Sequence, residues 1–171
     1  TWDILIEPYA EAFELGETPP MKGAPATFAE VLQRIIRAHL DAHPREVDGA
    51  NEGPWVRGYM RGHDGAHLPW CAGFVSTLIA QACAYQHVET PIEWSWGVDE
   101  LMQSAEEMGR VASKDRVRSI LGRGEIPCPF LFCIDGGKKE GGATDWIHTG
   151  FVTGIEEDAF VTAEGNTNDT G

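Results

Sequence analysis

Basic residues are scarce in this chain: 13 lysines and arginines stand against 27 aspartates and glutamates in 171 residues, a formal net charge of −14. An acidic surface repels a polyanion, so nucleic acid held through phosphate contacts is not an expected partner. Long apolar runs are missing too. No stretch approaches the roughly 18 residues that a membrane-spanning helix needs, and no basic-then-apolar segment of the secretory-signal type opens the chain. Cysteine is sparse: Cys71, Cys83, Cys128 and Cys133 form no C-x-x-C pair and no zinc-type spacing, so neither a disulfide framework nor a zinc site is indicated. Cys128 and Cys133 are five apart and would point to opposite faces of one strand, which argues against a local bridge. The chain begins at Thr1 without a Met, as an excised domain would, so an export signal or anchoring module could lie outside it.

What is present suits one domain. A 42% hydrophobic chain of this length can bury a proper core but is short for two domains. Residues 1–26 are punctuated by Glu7-Pro8, Gly16 to Pro20 and Gly23-Ala24-Pro25, and read as an irregular leader or linker. The folded domain is expected over 27–171. Thr27 and Glu30 form a capping-box pair ahead of an apolar stripe at Phe28, Val31, Leu32, Ile35, Ile36 and Leu40, and Pro44 ends that helix. His39 and His43 near its end are read as complements to the helix dipole. The loop Glu46 to Pro54 is rich in Gly, Asn and Asp. Its spacing is not that of an EF-hand, and its side chains are expected to satisfy their own backbone rather than hold a metal. His63 and His67 share a metal-ligand spacing, yet Asp64-Gly65 between them reads as a turn.

From Cys71 the apolar positions Phe74, Val75, Leu78, Ile79, Ala82 and Tyr85 recur every three or four residues and predict the central helix. Pro91, Trp94 and Trp96 make an aromatic connection expected to close the core, followed by a helix over Val98 to Met108. After residue 110 the period changes. Arg116 to Leu121 is ambiguous, Pro129 to Ile134 reads as a short buried strand, and Trp146 to Ile155 with Ala159 to Glu164 reads as a β-hairpin. Helices first and an antiparallel sheet afterwards make the fold class α+β.

One constellation could do chemistry. Cys71 stands at the first turn of its helix, where unpaired N–H groups and the positive end of the dipole stabilise a thiolate. If residues 156–158 connect the hairpin, His148 falls opposite Asn166, with Glu164 beside it on the same face. An imidazole held through one ring nitrogen by a carboxylate or an amide can use the other to take a proton from a thiol. The competing reading makes Cys71 a small buried hydrophobe and His148 an exposed strand residue, and periodicity does not choose between them.

Pro69-Trp70-Cys71-Ala72-Gly73-Phe74-Val75, then His148-Thr149-Gly150-Phe151-Val152, then Glu164-Gly165-Asn166-Thr167, resemble in order the CHAP family of cysteine, histidine-dependent amidohydrolases and peptidases of bacterial and phage cell-wall turnover. Gly49 to Val56 is similar to a segment upstream of the cysteine in some bacterial members. The resemblance runs from about Phe28 to the end. It implies a papain-like α+β fold, with Cys71 as nucleophile, His148 as general base and then acid, and Glu164 and Asn166 orienting His148. It implies no cofactor and no metal, peptidoglycan or its fragments as partner, and an extracytoplasmic or wall-acting location. The reaction it implies is hydrolysis of a peptidoglycan amide, as an amidase or endopeptidase. Two alternatives keep the same residues: a papain-like hydrolase or acyltransferase acting on another amide, and a non-catalytic wall-binding module. The Cys71 N–H is the expected oxyanion donor. Trp70 occupies a place where some relatives carry a hydrogen-bonding side chain. The sequence also departs from the pattern at Gly124 to Pro129, where many relatives have a Gly-Asp pair, and it stops soon after Asn166, short of a strand common in such folds.

Overall fold

A computed structural model describes residues 27–121, 129–156 and 159–167. Helices precede strands: α1 (Phe28–Asp41), α2 (Pro54–Tyr59), α3 (Cys71–Gln86), α4 (Val98–Glu107), α5 (Lys114–Leu121), then β1 (Phe130–Lys138), β2 (Thr144–Glu156) and β3 (Ala159–Glu164). The strands form one antiparallel sheet in the order β1-β2-β3, with α3 and α4 packed against the central strand β2. The leader at 1–26 and the Gly124 to Cys128 segment lie outside the described residues.

Helix α1 forms as its sequence predicts. The Thr27 hydroxyl accepts from the Glu30 N–H at 3.2 Å, and the Glu30 carboxylate accepts from the Thr27 N–H at 3.0 Å, so two end-of-helix donors are satisfied reciprocally. Its buried face differs from the expected one by one position. Val31, Leu32, Ile35 and Ile36 are buried as expected, but His39 completes the stripe, while Leu40 is 39% exposed. His39 is fully buried and does not serve the dipole. Gln81 Oε1 accepts from its Nε2–H at 2.9 Å, which leaves Nδ1 to accept from the Tyr59 hydroxyl at 2.8 Å. Burial lowers its pKa to about 4, the bond to Gln81 opposing, so the ring is neutral near pH 7 and links α1, α2 and α3.

Helix α3 is buried nearly all round and runs through the middle of the domain. Tyr59 stacks on Trp70 with ring centres 5.4 Å apart and planes 8° from parallel, and meets the Phe74 ring edge to face at 5.2 Å. Phe74 in turn touches Phe151 of β2 at 6.2 Å, which joins the helical layer to the sheet. Strand β1, expected to be buried, is only half so: Phe130 to Cys133 are partly covered and Ile134 to Lys138 are exposed, because helices cover the middle of β2 and not this edge. Arg116 to Leu121, ambiguous by pattern, belong to helix α5.

The hairpin carries two departures that offset each other. Glu156 pairs with Ala159, so two residues separate the strands instead of three, but an irregularity between Val152 and Gly154 takes up the difference. Beyond it the register is the expected one: Val152 faces Thr162, Phe151 faces Ala163 and Gly150 faces Glu164.

Burial of neutral His39 makes stability pH-dependent. Between its ordinary pKa of 6.5 and about 4 the unfolded chain binds a proton that the native state refuses, so stability rises with pH across that window. The contribution at stake is of order 3 kcal/mol. Urea midpoints measured from pH 4 to 7 are expected to climb less steeply in His39→Gln than in the parent chain.

Candidate active site

Three elements bring together three of the four predicted residues, Cys71, His148 and Glu164. Cys71 is the first residue of α3 and only 3% exposed. By helix geometry its N–H and those of Ala72 and Gly73 have no intrahelical acceptor, and Trp70 supplies no side-chain cap, so donors gather at the thiol. His148 sits on β2 with its side chain 18% exposed, and Glu164 ends β3 with its side chain 24% exposed. His148 Nε2 and Glu164 Oε2 are 2.8 Å apart. With Nε2–H donated to the carboxylate, Nδ1 is the ring nitrogen that remains for the thiol.

The contact between His148 and Glu164 follows from register. Glu164 pairs with Gly150, two residues beyond His148, so the two side chains lie diagonally on one sheet face. Gly150 keeps the path clear: a Cβ there would stand 2.7 Å from Glu164 Cγ and 2.9 Å from the Phe132 ring. Thr162, also two residues from Glu164, donates its hydroxyl to Oε1 at 2.6 Å and leaves Oε2 to the imidazole. This orienting role of Thr162 was not read from sequence, although the period-two spacing from Glu164 carried the signal.

Asn166 lies elsewhere in the geometry. Strand β3 stops at Glu164, Gly165 is buried, and Asn166 adopts a left-handed conformation with φ 60°. Its expected pairing with His148 does not form, since the ladder ends two positions earlier at Gly150 and Glu164. Among the described residues no hydrogen bond joins Asn166 to His148, and the carboxylate of Glu164 holds the ring instead.

Charge couples the thiol to the imidazole. A hydrogen bond with the Cys71 side chain is the chief influence raising the pKa of His148; partial burial opposes it, and Glu164 adds to the rise through its hydrogen bond and negative charge. Two other thiols are held in their protonated form. Cys83 is raised by burial alone. Cys133 packs beside Cys71 and is raised chiefly by burial, with the charge of Cys71 adding and a bond to Thr149 opposing. Both therefore hold their protons more firmly than a free cysteine does.

Several polar groups around the site are bonded to one another. The indole N–H of Trp70 donates to Glu46 Oε1 at 2.8 Å, while Glu46 Oε2 accepts from the Asn51 N–H at 2.9 Å. The indole is thus committed to the loop before α2. Asp64 accepts from the Gly53 N–H at 3.0 Å and from Arg57 at 2.8 Å, and these contacts lower its pKa, the backbone bond contributing most. Among the described residues of the loop only the Glu46 carboxylate meets the loop's own backbone as expected, at Asn51; the Asn51 amide donates to the Ala66 carbonyl at 3.1 Å and the Gly53 N–H is satisfied by Asp64, both outside the loop. Among the described residues no three His, Cys, Asp or Glu side chains are grouped to hold a metal ion, and no helix is long and apolar enough to cross a membrane. Trp94 and Trp96, expected to close the core, instead line an open groove, with Trp96 45% exposed.

Comparison with protein-family models, curated proteins and solved structures finds nothing that matches this chain.

Loss of the Glu164 charge removes one of the influences that raise His148. In Glu164→Gln the pH at which the imidazole loses its proton should move down toward the ordinary value, read by NMR titration of the ring. Gly150→Ala should displace the Glu164 side chain and produce the same downward shift with the carboxylate still present.

Proposed function

We propose that the protein is a cysteine-dependent hydrolase of an amide bond in bacterial peptidoglycan, an amidase or endopeptidase of the papain-like kind that the CHAP resemblance implies, acting outside the cytoplasm on the wall. The single observation that carries this reading is the line from Cys71 through His148 to Glu164, in which a helix-terminal thiol, an imidazole and a carboxylate on three elements meet. The mixed fold, with three antiparallel strands packed on helices, suits a papain-like arrangement.

The chemistry follows from those groups. The Cys71 sulfur, its proton passed to His148 Nδ1, attacks the carbonyl carbon of the scissile amide, and the negative charge moves to the carbonyl oxygen. In this reading the Cys71 N–H at the open end of α3 donates to that oxygen, a contribution of roughly 3 kcal/mol where such donors have been removed. As the C–N bond breaks, His148 gives its proton to the leaving amine and a thioester remains. A water molecule then loses a proton to His148 and attacks the thioester, releasing a carboxylate and restoring the thiol. Glu164 fixes the ring through Nε2 in both half-reactions, the role expected of it and shared in expectation with Asn166. Since Glu164 makes the contact, we assign the orienting role to it.

Cys71→Ala is expected to abolish release of soluble fragments from purified walls while the far-ultraviolet circular dichroism stays unchanged; cleavage at the parent rate would refute the reading. His148→Ala should lower turnover by about 10²- to 10⁴-fold. Iodoacetamide in limiting amount should modify Cys71 before Cys83 or Cys133, as peptide mapping would show, and the modified protein should be inactive.

A further inference from the structure

A groove of about 600 Å³ opens beside the helix terminus that carries Cys71, bounded by residues 67–69 on one side and 93–97 on the other. Both walls lead to the thiol. Pro69 lines the groove and is followed by Trp70 and Cys71; Gly97 lines it and is followed by Val98, which packs against Cys71 and Ala72. Its character is aromatic and acidic, set by Trp94, Trp96, Glu93 and Glu100.

The 93–97 wall is built rather than loose. The Ser95 backbone donates to and accepts from the Ser76 hydroxyl, both at 3.2 Å. The Trp94 indole donates to Thr77 at 3.3 Å, and the Glu93 N–H donates to Ser104 at 2.8 Å. These bonds tie the wall to the second turn of α3 and to α4, so the groove exists before a ligand arrives. Among the described residues neither Glu93 nor Glu100 is in an ion pair. Arg61 lies over the Trp94 ring with its guanidinium carbon 4.0 Å from the ring centre, so an indole here already receives a positive charge. Trp96 meets the His63 ring at 4.8 Å in a T-shaped contact yet stays 45% exposed, and with two carboxylates lining the same groove its exposed part is a second aromatic surface where a cation would be attracted by ring and charge together.

We propose that this groove is a substrate subsite that binds a primary ammonium group of a peptide, with Glu93 and Glu100 opposing its charge and Trp96 covering its methylenes. The proposal rests on the reading of Cys71 as nucleophile for its place in the substrate path, and it names the part of the peptide held next to the scissile amide.

The test uses the full chain carrying Cys71→Ala, so that binding is read without turnover, by calorimetry and by tryptophan fluorescence. The probes are the tripeptide alanyl-glutamyl-lysine, its two singly acetylated forms and its doubly acetylated form. The expected result is binding that weakens at least 10-fold on double acetylation, with one singly acetylated form retaining affinity and thereby identifying the terminal or the side-chain ammonium as the group held. Adding Glu93→Gln and Glu100→Gln should weaken the free tripeptide to the level of the doubly acetylated one without changing the near-ultraviolet circular dichroism. In the active chain the same pair should raise KM for an ammonium-bearing substrate and leave kcat unchanged. Equal binding of free and doubly acetylated peptide, unaltered binding in the double glutamine variant, or preferential binding of a neutral amino-sugar oligosaccharide in the groove would each overturn the proposal. Ammonium-dependent binding by a chain with no hydrolytic activity would sink the enzymatic reading alone; hydrolysis indifferent to the glutamine substitutions would sink the subsite alone.

Discussion

Gly165 passes the rings of Trp70 and Phe74 so closely that a Cβ would stand 2.6 Å from the Trp70 ring and 2.9 Å from Phe74 Cβ. This approach brings the end of β3 against the beginning of α3. One residue back along the strand is Glu164, and one residue forward from Trp70 is Cys71, so the contact fixes the carboxylate and the thiol within the same small volume. His148, carried on the neighbouring strand, fits between them. A bulkier residue at 165 would separate helix and hairpin, and the site would lose its geometry before it lost any of its side chains.

Trp70 is itself held from two sides. Tyr59 stacks on its ring and Glu46 accepts from its indole, so the loop of residues 46–53 and helix α2 both bear on the residue preceding the thiol. Behind Tyr59 stands His39, neutral and bonded to both Tyr59 and Gln81. The molecule therefore uses two histidines in opposite ways. Desolvation keeps His39 uncharged and structural, whereas the partly exposed His148 has partners that favour its charged form. Residue type alone does not distinguish them; their surroundings do.

Much of the fold was legible because it rests on local rules. The capping box at Thr27 and Glu30, the helix starting at Cys71 and the strand ending at Glu164 lie where spacing put them. Misreadings arose where a polar residue took an apolar place or an apolar residue an exposed one. His39 replaced Leu40 on the buried face because Tyr59 and Gln81, from two other elements, satisfy its nitrogens. Trp96 stayed outside because Ser76 pins the Ser95 backbone and Thr77 holds the Trp94 indole, which leaves the Trp96 ring on the groove. Cys133 reached Cys71 through packing of sheet on helix, which no periodicity reports.

The sequence by itself determined which residues could take part: a cysteine at a helix start, and a histidine and a glutamate two strand positions from being directly opposed. Those are consequences of short-range periodicity, which depends only on backbone geometry. The tertiary structure decided that Glu164 rather than Asn166 meets the ring, because β3 and its ladder end at Glu164 itself and the chain then turns left-handed at Asn166. It also decided that the thiol meets the imidazole and that an acidic aromatic groove opens beside them. Both depend on contacts between segments far apart in the chain, whose distances are set by packing the aromatic core and not by any pattern within one segment.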